Sequence, residues 1–570
     1  MSERASQNVI ASGSLLTQVL EWMTVALAVS ALAWLGHGLD RGLELTDESF
    51  YLLSALHADS IRLFFSPTHW VSGALWRMAP SLVEFRAVGL GLATMSALLL
   101  AWGVLRVAPL AGLQVGSRRP GQVAVLASAA SGALLYGSLL SFTPSYNLLG
   151  ASGSCFAIGL GLLSISATHA GSARGLALLA GVALGITVLC KFSTGICAAL
   201  LLLTLQAALT WRHPARRWDS LLMLVAMLAT VVLAARSQTG FAEAQRQFGA
   251  GVELVWFAQG DKTTLARLAR SAADIASMVG VMVVAFWGPV ICFAVAAFWR
   301  PVLMGGIGSV WFALLLVGGD HAVAGMSRYA LQAVPFAAAL AMSLLIPVKQ
   351  WTRSPSACLL VLTLVVLPFG IALGTGNPLQ IQILTALASW GALIGLLALS
   401  SQQARLPAAF ICLLFNLIVL LHIMTNGAQP YRMHALAEQT EVVTLVPLGS
   451  VKVDHQTASL VRDIQSSGQH CAIKPGRPFV DLYDLPSVAL ILGAVPIDSP
   501  WLLNRDYAEL VLKQADPLKL KQAIVAVKLD ATGTRPAPPR QLAAFPQGFR
   551  LCGRSTGPVD GLPIELWAPG

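Results

Sequence analysis

Charge is what this chain of 570 residues has least of. Asp, Glu, Lys and Arg make up only 11% of it and apolar residues 56%, whereas soluble domains carry about 25% charged residues. Together with a mean hydropathy of +0.70, this excludes a soluble globular protein. The apolar residues come in blocks of about 17 to 24, long enough to cross a bilayer as helices. The alternating pattern of an outer-membrane barrel is missing. The net charge of +10 does not indicate a nucleic-acid partner, because its Lys and Arg are scattered between the apolar blocks. In a membrane protein such an excess reflects topology and contact with membrane lipids.

A cleavable leader is not expected either: the block from Leu15 to Gly36 is too long for a signal-peptide core and lacks a convincing A-x-A cleavage site, so it reads as a retained first helix. Further spans are expected at 84–106, 121–141, 148–168, 174–190, 194–211, 218–235, 276–299, 303–319, 329–347, 356–374, 380–399 and 407–425. That makes about thirteen transmembrane helices, with the termini on opposite sides. Acids are scarce in one set of loops. Arg106, Arg118, Arg119, Arg174, Arg212, Arg216, Arg217, Arg300, Lys349, Arg353 and Arg405 face almost no acid but Asp219. The opposite loops hold the acids, from Asp40 and Glu44 to Asp274 and Asp320. Basic loops stay inside, so the expected topology has a cytoplasmic N-terminus and an extracytoplasmic chain after about residue 430.

The expected domains are therefore a membrane domain, 1–427, with interfacial helices in its first outer loop (37–83), and a soluble α/β domain, 428–570. The tail alternates helical stretches with β-like runs such as "EVVTLVPL", "PFVDLYDL" and "QAIVAVKL". Six of the eight cysteines fall in expected spans, where a buried thiol usually packs. Cys471 and Cys552 alone lie in the tail, where an extracytoplasmic setting permits one disulfide.

Asp and Glu are essentially missing from the span centres, which argues against an ion-coupled transporter. Polar residues gather instead at the outer helix ends, above all in the stretch "TDESFYLLSALH", where Asp47 and Glu48 open an aromatic run. Near them in depth are His57, His69, Arg86, Tyr146, Asn147, Lys191, Asp320, His321, Arg328 and Tyr329. Such a set suits the headgroup of a lipid whose tail stays in the bilayer. Transfer of a sugar from a lipid phosphate needs cations for the leaving phosphate. It also needs a shielded carboxylate to deprotonate the acceptor hydroxyl and negative charge near the oxocarbenium-like centre. Helix capping by Thr46 or Asp47 is the plainer use of the same acids, and snorkelling is that of the cations. His57 and His69 match no compact metal motif.

The order of these motifs resembles the polyprenyl-phosphate-dependent glycosyltransferases of the GT-C class. That class includes protein O-mannosyltransferases, the lipid A aminoarabinose transferase and the galacturonosyltransferases of rhizobial lipopolysaccharide. "TDESFYLL" resembles the acidic motif of the first outer loop, which implies Asp47 as catalytic base with Glu48 positioning it or the acceptor. "SPTHWVSGALW" offers His69 but lacks the two prolines that follow in the family. "EFRAVGLGL" supplies Arg86, "LCKFSTG" Lys191, and "SRYALQAVP" Arg328 and Tyr329. "TPSYNLLG", with Tyr146, lies where relatives carry an aromatic-polar motif. The resemblance spans about residues 10 to 350. It implies that Arg86, Lys191 and Arg328 hold the phosphate, with Tyr146 and Tyr329 lining the pocket.

The expected fold is thus an α-helical polytopic membrane protein, GT-C-like, with a C-terminal soluble α/β domain. The expected function is transfer of a sugar, with inversion, from a polyprenyl-phosphate donor to a hydroxyl of a lipid, glycan or protein. It would take place at the outer face of a bacterial inner membrane. No metal ligands are assigned, and a divalent cation, Mg2+ or Mn2+, is the one cofactor left open. The rival readings are a polyprenyl-linked lipid flippase, a non-enzymatic scaffold, and a glycan polymerase or ligase using diphosphate-linked donors.

Overall fold

Eight helices among the described residues are long and apolar enough to cross a membrane. The structure, a computed structural model, describes residues 2–63, 66–210, 217–259, 264–296, a few positions between 303 and 311, 354–374, 377, 379–400, 405–426, 434–446 and 448–570. The eight are Leu15–His37, Leu82–Val107, Tyr146–Ser166, Ala170–Cys190, Phe192–Thr210, Trp218–Gln238, Pro355–Ala372 and Ala408–Thr425. Each overlaps an expected span. The block at 121–141 forms a 16-residue helix, Arg119–Leu134, ending in a 3-10 turn, Leu135–Ser138. The block at 276–299 falls largely in a longer helix, Thr264–Ala296. The expected span at 380–399 is broken into Leu379–Gln382, a 3-10 turn at Ile383–Ala386, and Ala388–Ser400. Most of 303–319 and all of 329–347 lie outside the described residues, so the structure does not reproduce a count of thirteen.

One acid lies in a span, away from its centre. Glu21 sits in the first span, 8% exposed, with its Oε1 3.0 Å from Nη2 of Arg118. Burying a carboxylate in a helix bundle requires a cationic partner, and Arg118 supplies it from the start of the helix Arg119–Leu134.

Helices are labelled here as far as the site requires: α1 (Ser2–His37), α2 (Asp47–Leu56), α3 (Thr68–Met78), α4 (Leu82–Val107), α5 (Arg119–Leu134), α6 (Tyr146–Ser166), α7 (Ala170–Cys190) and α8 (Phe192–Thr210). The C-terminal region is an α/β unit. Strands β1 (Glu441–Leu445) and β2 (Gly449–Val453) form an antiparallel pair. Strands β3 (Pro478–Leu482), β4 (Val495–Pro496), β5 (Ile524–Lys528), β6 (Phe549–Thr556) and β7 (Pro563–Pro569) form a sheet in the order β4-β3-β5-β7-β6. β3 runs parallel to β4 and β5, and β7 runs antiparallel to β5 and β6. Three of these strands fall on the three β-like runs of the sequence. Cys471 and Cys552 are joined in a disulfide that ties the end of the helix His455–His470 to β6.

This unit is built together with the first long loop. Leu43, Leu52, Leu53, Trp76, Leu82 and Phe85 of residues 37–85 share one hydrophobic core with Val443, Val453, Leu460, Ile491 and Ile524. Backbone pairing reinforces the contact: Lys452 N–H donates to the Asp40 carbonyl at 2.9 Å, and Gly42 N–H to the Lys452 carbonyl at 2.8 Å. Further along, Arg62 and Leu63 N–H both donate to the Asp498 carbonyl at 3.0 Å. In α2, residues Glu48 to Ala55 are all buried, with Leu52 and Leu53 in the core shared with the C-terminal unit.

Candidate active site

The site is organised by the start of α2. A helix leaves its first N–H groups without intrahelical partners; Thr46 makes no side-chain cap bond here, and Glu44 takes the Glu48 N–H. The Glu44 carboxylate accepts Thr46 N–H at 2.9 Å, Thr46 Oγ1–H at 2.6 Å and Glu48 N–H at 2.7 Å. Reciprocally, the Glu48 carboxylate accepts Glu44 N–H at 3.1 Å. The exchange resembles a capping box and fixes the backbone on both sides of Asp47.

Glu48 carries a second set of partners. Arg86, one turn into α4, donates from Nε to Glu48 Oε1 at 2.8 Å and from Nη2 to Oε2 at 2.7 Å. Its remaining donors reach the carbonyls of Leu39 (2.8 Å), Arg41 (3.1 Å) and Gly42 (2.8 Å). All five guanidinium donors are therefore engaged, and both side chains are buried, at 3% and 2% exposure. This set of partners ties the Glu48 carboxylate to the turn that leaves α1. Thr143 Oγ1 adds a third bond to Glu48 Oε1 at 2.6 Å. Gly89 permits this, since a Cβ there would lie 1.7 Å from the Phe142 carbonyl oxygen. The segment carrying Thr143 can therefore cross α4 one turn beyond Arg86.

Asp47 is the first residue of α2, half-buried, and opens on a narrow cleft. One wall is Glu44, Asp47, Glu48 and Tyr51; the other is Tyr136 and the segment from Leu139 to Ser145. Tyr136 and Ser145 hydroxyls are bonded at 2.7 Å, and Ser145 also caps α6 by accepting Leu148 N–H at 3.1 Å. Burial acts to raise the Glu48 pKa, but Arg86, Thr143 and the Glu44 N–H outweigh it and hold Glu48 below the ordinary range. Burial, and then the neighbouring Asp47, push Glu44 up to about 8. Near neutrality the pair thus splits into a protonated Glu44 and an ionised Glu48.

The remaining expected residues lie further off. The Tyr146 ring is 5.8 Å from that of Tyr51, and the Lys191 ammonium lies over Tyr146, 5.5 Å from its centroid. Lys191 separates α7 from α8 and is buried. It donates to Asn147 Oδ1 at 3.1 Å and to the Ile371 carbonyl at 2.7 Å, so it also terminates the helix Pro355–Ala372. His69, on the first turn of α3, is buried and does not line the cleft; burial lowers its pKa to about 4. Its neighbours Ser66 and Thr68 both donate to the Cys190 carbonyl at 2.7 Å, docking α3 beside Lys191. Asp320, His321, Arg328 and Tyr329 lie outside the described residues.

The sequence reading passes over Glu44, Tyr51, Tyr136, Thr143 and Ser145. Two of these carry a local signal: Glu44 is four residues before Glu48, and Tyr51 is four after Asp47, one helical turn along the same face. Among the described residues, no group of three or more His, Cys, Asp or Glu side chains could hold a metal ion.

No protein-family model matches the sequence, and no curated protein matches it either. Among solved structures, the fold is similar to an oligosaccharyltransferase of Archaeoglobus fulgidus in complex with zinc and sulfate. That match has 13% identity, a TM-score of 0.43, and covers 90% of this chain and 72% of the other. The archaeal oligosaccharyltransferase AglB from the same organism, in complex with an inhibitory peptide and a dolichol-phosphate, matches with 13% identity and a TM-score of 0.44. It covers 90% of this chain and 74% of that one.

Proposed function

We propose that the protein is a membrane glycosyltransferase of the GT-C type. In this reading it moves a sugar from a polyprenyl-phosphate donor to a hydroxyl of a lipid, glycan or protein at the outer face of a bacterial inner membrane. The observation that carries the reading is the placement of Asp47, half-buried at the head of α2, on a cleft that Glu44 and Glu48 also line. Glu48 is neutralised by Arg86, and Glu44 is engaged by three donors. Asp47, at the mouth of the cleft, is assigned as the base.

The acceptor hydroxyl attacks the anomeric carbon and gives its proton to Asp47. The bond from that carbon to the phosphate oxygen breaks, and the phosphate leaves with the electron pair. One displacement inverts the anomeric centre. Lys191 and Arg328 are assigned to the phosphate, and Tyr146 and Tyr329 to the pocket. Arg86 is a positioning residue acting through Glu48. The disulfide Cys471–Cys552 supports an oxidising, extracytoplasmic setting for the C-terminal domain.

The test is transfer from a panel of radiolabelled polyprenyl-phosphate sugars by purified protein, comparing wild type with Asp47→Asn. Release of sugar from one carrier that depends on Asp47 supports the assignment. Full turnover by a folded Asp47→Asn protein ends it.

A further inference from the structure

A second and larger cleft, with about 220 Å3 of water-accessible space, lies where the first loop meets the C-terminal domain. Its floor is the carboxyl edge of the parallel strands: Asp484 follows β3, Lys528 ends β5, and Asp560 stands in the adjoining β6–β7 turn. Open α/β sheets bind ligands in that crevice, beyond the carboxyl ends of their strands. Asp484 is held there at φ 63°, a left-handed backbone that for residues other than glycine clusters at ligand sites. The facing wall is Leu43 to Thr46. Glu44 is common to this cleft and to the one that holds Asp47.

The chemistry of the lining narrows the ligand. Lys528 Nζ lies 3.6 Å from Asp484 Oδ2 and 3.4 Å from Asp560 Oδ2. The other oxygens of these carboxylates accept Trp501 Nε1–H at 3.0 Å and Leu562 N–H at 3.1 Å. Lys528 is thus flanked by two fixed carboxylates, and binding an anion would have to displace them. Asp454 adds further acid, and among the described lining residues His434 is the only other basic group. Carboxylates fixed in this way keep lone pairs for hydroxyl or ammonium donors. Leu460, Val559 and Ile564 provide apolar surface for the C–H face of a sugar ring.

We infer that this cleft binds the acceptor as a non-anionic saccharide, neutral or amine-bearing, and presents it past Glu44 toward Asp47. The inference rests on the transferase reading for the word acceptor; the binding itself does not.

The experiment measures binding to the full-length protein in detergent by calorimetry. The probes are maltotriose, a chitosan trimer and trigalacturonate, which are neutral, cationic and anionic trisaccharides. The neutral or the cationic probe should bind and the anionic one should not. Asp484→Asn with Asp560→Asn should weaken the cationic probe at least tenfold. Val559→Trp, a change at an exposed turn residue that leaves every charge in place, should block the cleft. Tightest binding of trigalacturonate, or affinities unchanged in both variants, would overturn the inference. Intact sugar transfer with no saccharide bound would sink the cleft and spare the transferase. Saccharide binding with no transfer from any carrier would do the reverse.

Discussion

Arg86 and Glu48, 38 residues apart in sequence, form a bidentate ion pair buried beneath the first long loop. A buried pair contributes little net stability when intact, but removing one partner strands the other charge. Here the guanidinium also holds three backbone carbonyls. Arg86→Ala should destabilise the fold by about 3–5 kcal/mol, read as a lower thermal midpoint in detergent. Arg86→Lys should recover only part of it, since one ammonium has three donors for five interactions. A wild-type midpoint in Arg86→Ala would contradict the structural role given to the pair.

Asp47→Asn should separate chemistry from folding. The side chain is half-buried at the mouth of the cleft, and the amide is isosteric. Turnover should fall by about 10²–10⁴-fold, the usual scale of general-base catalysis, with the melting curve unmoved. Equal loss of turnover and stability would reduce Asp47 to a structural acid.

Glu44 gives the stability a pH dependence of definite sign. Burial, with Asp47 beside it, raises its pKa from an ordinary 4.5 to about 8, so the folded state holds a proton that the unfolded state has released. That stabilisation is fully present below about pH 4.5 and is lost as pH rises through 8. Thermal midpoints of wild type should therefore fall across that window, and Glu44→Gln should flatten the fall. An identical slope in the variant would remove Glu44 as its source.

The C-terminal unit should prove necessary for the order of the loop. Truncation after residue 427 would expose Leu43, Leu52, Leu53 and Phe85, which now lie in a core shared with residues 443–568. Hydrogen exchange over 47–56 should accelerate in the truncated protein, and turnover should disappear with it. Retained protection of α2 would show that the loop folds alone.

Breaking Cys471–Cys552 removes a link across 81 residues. Cys552→Ser should cost about 2–5 kcal/mol, while turnover well below the melting point should persist, because the bridge lies outside both carboxylate clefts. Loss of turnover without loss of stability would place the bridge in the site.

How much of this could be read from the chain follows from the range of each interaction. Membrane helices announce themselves because about 20 consecutive apolar residues are needed to span a bilayer; the stretches at 15–36, 84–106 and 148–168 fold as read. At 380–399 the same composition hides a break, because a 3-10 turn at Ile383–Ala386 changes the backbone without changing hydropathy. Three of the seven described strands of the C-terminal unit, β1, β3 and β5, were legible by period. The burial of α2 was not, since its cover comes from residues some four hundred positions away.

In the acidic stretch the division is sharpest. Sequence alone determined that Asp47 and Glu48 stand together at the head of an aromatic helix beside an apolar span, because those facts are local. Only the tertiary structure decided that Glu48 is neutralised, that Glu44 caps the helix, and that Arg86 is spent on the protein itself. A carboxylate's role depends on which donors reach it, and here two of them, from Arg86 and Thr143, come 38 and 95 residues further along the chain.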